Sequence, residues 1–110
     1  MSRIKQYYED ITWNIIDCMD TELYGARDAY FPDWENGGRE AAIDRMYELV
    51  FGGREKIENV YWMLLDMKTD MPWNIVTRKT DDVISELEGW MPDVKKERIE
   101  ECEVYLYMEG

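Results

Sequence analysis

The chain has 110 residues, 45% of them apolar, so one domain spanning 1–110 with a substantial core is the expectation. Asp and Glu number 25 against 13 Lys and Arg, there is no histidine, and the net charge is −12. That field repels nucleic acid and anionic membrane, the missing histidines remove the commonest general base and metal ligand, and five Trp, eight Tyr and eight Met exclude a solvated tail.

Ser2 caps a first helix expected from about residue 3 to about 24, closing near Gly25. Ile4, Tyr8, Ile11, Ile15 and Cys18 recur at spacings of four and three, a helical stripe that marks its buried face. Pro32, Asp33, Asn36 and two glycines then make a loop, with Tyr30, Phe31 and Trp34 packing it onto the body. A second helix follows at roughly 39–51, facing inward with Ile43, Met46, Tyr47 and Val50. Gly52 and Gly53 end it, and a third helix runs over roughly 54–68. Its main stripe is Ile57, Val60, Tyr61 and Leu64, and Trp62, Met63, Leu65 and Met67 fill most of the remaining circumference. A helix apolar nearly all round belongs at the centre of a bundle.

The segment at 69–79 reads as helix or irregular chain, although WNIVT has the β-branched content of a short strand. Thr80 then caps a fourth helix, with Asp81 and Asp82 in its first turn and Val83, Ile84 and Leu87 inside, and Gly89 ends it. Pro92 opens a last helix through about 107 that turns Val94, Ile99, Cys102 and Leu106 inward, while VYLYM at the end could form a strand. The result is an all-α, small single-domain bundle of about five helices, with an αα-hairpin at 39–68.

GGRE occurs twice, at 37–40 and 52–55. Helix N-termini bind anions, so each copy could be an anion site. Helix punctuation explains more: Gly52 ends one helix in the left-handed region, Gly53 reverses the chain, and Glu40 and Glu55 fall in first turns. Cys18 and Cys102 lie far apart in sequence and read as free buried thiols rather than as a disulfide. No apolar run is long enough to cross a membrane, and MSRIKQYYEDITW has no continuous apolar stretch of a signal peptide, so a cytoplasmic location is expected.

Carboxylates alone could hold a metal at Asp17 with Asp20, at Glu55 with Glu58, or along Glu97, Glu100 and Glu101. The segment from Glu55 to Asn59 looks like the start of the paired ExxE and ExxD sets of all-α nucleotide pyrophosphatases, but no ExxD follows at a fitting distance. No catalytic residue, cofactor or metal site is assigned on this pattern.

A helical wheel sets Glu9, Trp13, Asp17 and Asp20, with Asp10 alongside, opposite the first helix's apolar stripe. Between Gln6 and Ala26 there are five acidic residues and no basic one, and the same holds between Thr80 and Val94. Exposed aromatic residues among charges suit a partner-binding face, here Glu9, Asp10, Trp13, Asp17 and Asp20 together with Asp81, Asp82 and Glu86. The plainer alternative packs Trp13 under the aromatic loop. Carboxylates four residues apart on a helix lie about 5–6 Å from one another and can imitate a row of phosphates.

In size, charge and helical content the chain resembles the small acidic inhibitors that phages and mobile elements make against restriction and CRISPR systems. That resemblance implies a short, cytosolic, non-enzymatic protein. Its partner would be a basic, nucleic-acid-binding host protein, engaged without direct nucleic-acid contact. The alternatives are a homo-oligomeric structural or adaptor protein that buries residues 30–34, Trp73 and Trp90 between subunits, and a carboxylate-metal nucleotide hydrolase.

Overall fold

A computed structural model describes the backbone of residues 3–109 and the side chains of residues 4–100. The chain is all-helical there: α1 Arg3–Thr21, α2 Tyr24–Tyr30, a 3-10 turn Trp34–Asn36, α3 Gly38–Val50, α4 Arg54–Asp70, α5 Arg78–Trp90 and α6 Pro92–Glu109. Six α-helices stand where five were expected, because the first one breaks early and the start of the stretch expected as a loop forms α2. The Cys18 carbonyl accepts from both Glu22 N–H (2.8 Å) and Leu23 N–H (2.9 Å), which closes α1 at Thr21. The Arg27 guanidinium donates to the Met19 carbonyl at 3.1 Å, satisfying another of the carbonyls left open at the helix end. Gly25, expected as a terminator, lies inside α2.

Of the aromatic residues expected to pack this stretch onto the body, Tyr30 ends α2 and stays exposed, while Phe31 is half-buried. Trp34 is buried, its indole N–H donates to Asp20 Oδ1 at 3.0 Å, and the Arg27 guanidinium lies 4.9 Å over its ring. Asp33 (φ 59°) and Gly37 (φ 98°) both adopt left-handed backbone to turn the chain into α3. Between α3 and α4 the left-handed residue is Gly53 (φ 103°), not Gly52. Gly52 is required for a different reason: a Cβ there would sit 2.6 Å from the Glu48 carbonyl. Both arginines of the GGRE repeats are engaged by the protein's own carboxylates, Arg39 by Asp20 and Arg54 by Asp93 and Glu58.

α4 is central, with Ile57, Val60, Tyr61, Leu64 and Met67 buried and packing against α2, α3 and α5. α1 buries a wider arc than its predicted stripe: Ile11, Thr12, Ile15, Ile16, Cys18 and Met19 are all inside. The reason is that α1 has neighbours on two flanks, α3 and α5. One residue of each of two predicted stripes falls outside the core, since Ile4 is 65% exposed and Ile99 43% exposed. Residues 71–77 are irregular, with no strand. The end of the chain stays helical to Glu109, and the side chains of Cys102 and Leu106 lie outside the described residues.

α5 starts at Arg78, so Thr80 is its third residue and not its cap. The cap is supplied from far away in the sequence. Glu22, buried at the α1–α2 break, accepts from Lys79 N–H (3.0 Å), Thr80 N–H (2.8 Å) and the Thr80 hydroxyl (2.8 Å). A carboxylate at a helix N-terminus satisfies open amides and complements the dipole. A second buried carboxylate joins the other end of α5 to its neighbours. Glu88 accepts from the Tyr61 hydroxyl of α4 at 2.8 Å and is paired with Arg98 of α6 at 3.1 Å. Burial and this carboxylate push the Tyr61 phenol well above its usual range.

Glu22→Gln keeps the shape but loses the charge and sets an amide N–H against backbone N–H donors. Hydrogen bonds to charged groups contribute about 1.5–3 kcal/mol. Urea unfolding should therefore show Glu22→Gln less stable by about 2–3 kcal/mol with an unchanged m-value. Asp28→Ala, which removes an ion pair whose carboxylate is largely exposed, should cost less than about 1 kcal/mol.

Candidate binding groove

Two contacts fix α1 and α5 antiparallel. At one end Glu22 holds the first turn of α5, and at the other the Trp90 indole N–H donates to the Tyr7 hydroxyl at 3.1 Å. Between these ends the helices leave a surface groove. One part, about 260 Å³, is lined by Tyr7, Asp10, Ile11, Asn14, Asp82, Val83 and Glu86. An adjoining part of about 270 Å³ shares Asn14, Asp82 and Val83 and adds Asp17 and Lys79.

The single face expected from the helical wheel is divided by this packing. Asp10, Asp82 and Glu86 come together in the groove, are exposed, and have no ion-pair partner among the described residues. Asp10 accepts a hydrogen bond from Gln6 Nε2 at 2.9 Å. Asp17 borders the same groove but is neutralised by Lys79 Nζ at 2.9 Å, and that hydrogen bond and charge hold the ammonium above the usual lysine range. Asp20 turns the other way. It accepts both Nε and Nη2 of Arg39 (3.1 and 3.0 Å) as well as the Trp34 indole, and the Arg39 guanidinium is held above its usual range in turn. Asp81 points to α4 and pairs with Lys68. Glu9 is half-buried, with no ion-pair partner among the described residues.

Trp13 is 46% exposed but does not stand free among carboxylates. Its ring meets Tyr47 of α3 edge-on at 6.4 Å, and its indole N–H donates to the Tyr47 hydroxyl at 2.8 Å. It packs on α3, not on the aromatic loop. The wheel placed it correctly opposite Ile11 and Ile15, yet helix α3 covers part of that side as well.

Of the residues proposed for a subunit interface, Trp34 is buried and Trp90 is half-buried against Tyr7 and Tyr8. Trp73, in the irregular segment, is 96% exposed. Of the carboxylates considered for metal binding, Asp17 pairs with Lys79, Asp20 with Arg39, Glu58 with Arg54 and Glu100 with Lys96, and the side chain of Glu101 lies outside the described residues. Among the described residues no three carboxylates or cysteines converge as a metal site, and no helix is long and apolar enough to cross a membrane. Sequence reasoning missed Glu22 and Glu88, whose burial had no local signal, and the contact of Tyr7 and Tyr8 with Trp90, which bridges opposite ends of the chain.

Comparison with protein-family models, curated proteins and solved structures gives no match.

Cys18, a free thiol behind the groove, is fully buried. Burial is the main cause that pushes it up to about 11, with the neighbouring Thr80 side chain pulling it down. The folded state thus keeps a proton that the unfolded chain releases near 9.0. This contribution to stability is fully present below pH 9 and is lost as pH rises toward 11. Unfolding free energies measured across that window should fall with pH, and the slope should be shallower in Cys18→Ala.

Proposed function

We propose that the protein is a small non-enzymatic inhibitor that binds a basic, nucleic-acid-handling protein through the α1/α5 groove. The supporting observation is that Asp10, Asp82 and Glu86 line one groove with no ion-pair partner among the described residues, its one lysine, Lys79, being taken by Asp17, on a chain of net charge −12. Carboxylates that a protein leaves unpaired on one concave surface offer a landing site for arginines or lysines. Asp82 and Glu86 are one helical turn apart, a spacing that a phosphate-binding surface could accept in place of nucleic acid. The attraction acts at long range and weakens in salt. A phage or mobile-element inhibitor of restriction or CRISPR enzymes, working in the host cytosol, fits this chemistry, because its target would carry a basic nucleic-acid path.

The groove makes a sharper claim than net charge does. Nona-arginine serves as a probe in calorimetric titration at low salt. Asp10→Lys/Asp82→Lys/Glu86→Lys should weaken it at least about tenfold more than Glu35→Lys/Glu40→Lys/Asp44→Lys, which changes the net charge equally but lies on other elements. Equal losses in the two triple variants would reduce the effect to bulk charge and remove the groove from the account.

A second reading rests on Trp73 and Val76, which are 96% and 65% exposed. An indole this open favours a covering surface, and a homo-oligomeric adaptor would supply one from its own partner subunit. In that case the light-scattering mass rises with concentration, and Trp73→Ser restores the monomer. A monomer mass at every concentration dismisses the oligomer.

A further inference from the structure

Beside the groove lies a pocket of different character. Tyr8, Phe51 and Trp90 form its walls, and Val50, Ile57 and Met91 its floor, around about 280 Å³. The floor residues are buried, whereas Phe51 is 42% exposed. Tyr8 is the hinge of the aromatic wall, with its ring 5.5 Å from Phe51, edge-on, and 5.3 Å from Trp90. Apolar floor and open aromatic rim are the make-up of an anchor pocket in a protein interface. The volume is below the usual range for a small-molecule site and suits a single side chain.

The pocket and the groove share a wall. Tyr7 lines the groove, its ring lies 5.5 Å from Trp90, and its hydroxyl accepts the Trp90 indole N–H. One extended segment can therefore cross from groove to pocket over the Tyr7–Trp90 ridge. Because that hydroxyl is already an acceptor, its own proton is left to donate to a backbone carbonyl of the crossing segment.

Charge decides what such a segment carries. Arg54, at the rim of the pocket, is held by Asp93 at 2.6 Å and by Glu58 at 3.7 Å. It adds no free cation, and its carboxylates outnumber it. The groove next door presents Asp10, Asp82 and Glu86. A second copy of the chain would bring another −12 against this surface, and an anionic membrane would likewise be repelled. We infer that the pocket takes one large apolar side chain from the same basic partner segment whose cations occupy the groove. This rests on the proposed function for the cations but adds a separate, apolar determinant of specificity.

The test uses the full ¹⁵N-labelled chain and two amidated heptapeptides, Arg-Arg-Gly-Leu-Gly-Arg-Arg and its serine counterpart in place of leucine. Burying a leucine side chain is worth roughly tenfold or more in affinity. The leucine peptide should bind about tenfold tighter and should shift the Trp90 indole signal further than the serine peptide does. Phe51→Ser should abolish the preference for leucine while retaining the affinity for the serine peptide, which also certifies that the variant is folded. Equal affinities for the two peptides, or a leucine preference that survives Phe51→Ser, overturns the pocket while groove binding, lost in the triple lysine variant, stands. Failure of both peptides to bind overturns the pocket and the groove together. A Trp90 shift that follows protein concentration alone, or that appears with phosphatidylcholine vesicles, assigns the pocket to a second copy or to lipid and equally overturns the inference.

Discussion

The carboxylate of Glu22 on the first turn of α5 is the contact from which the α1/α5 groove follows. It is reached only because α1 stops at Thr21, where the Cys18 carbonyl takes two amides and the chain bends toward α2. The amides of Lys79 and Thr80 then have a buried anionic partner, and α5 lies antiparallel along α1. From that register come the Asp17–Lys79 pair, the meeting of Asp10 with Asp82 and Glu86, and the Tyr7–Trp90 ridge. A buried carboxylate without partners would be strongly unfavourable, so the geometry is tightly specified by the need to satisfy it.

The same principle sorts the acidic residues by role. Glu22 and Glu88 are inside and fully used in joining helices. Asp17, Asp20 and Asp81 are at the surface, but each is matched by a cation from another element, so little of their field projects outward. What projects is the remainder, and in the groove that remainder is Asp10, Asp82 and Glu86. In the proposed complex, charge of this kind would govern encounter and selectivity more than holding strength. An apolar pocket directly beside it supplies the complementary quality, since area removed from water does not weaken with salt as ion pairing does.

Most helix positions were legible in the sequence. α4 was readable as the central helix because Ile57, Val60, Tyr61 and Leu64 repeat at helical spacing and its other sides are also apolar. α5 was readable from Val83, Ile84 and Leu87 with acidic residues ahead of them. The break after Thr21 was not, because the apolar Leu23 continues the pattern and nothing local disfavours another turn. The interior role of Thr12 was hidden too: its hydroxyl donates to the Tyr8 carbonyl at 2.7 Å, so a polar residue sits in the core without cost that the pattern could register.

The proposed binding face shows where such reading stops. Periodicity and composition determined by themselves that the chain is helical, which residues seek the core, and that acidic residues crowd α1 and α5, since these depend on spacing along one helix and on summed charge. Only the tertiary structure decided which carboxylates remain unpaired. Lys79, Arg39 and Lys68 reach their partners from other helices, and the side of α1 that carries Trp13 and Asp20 faces α3 while the side that carries Asp10 and Asp17 faces α5. A helical wheel gives the angle of a residue on its own helix. Whether a charge is free depends on which distant side chain that angle meets, and that is settled by the packing of the whole chain.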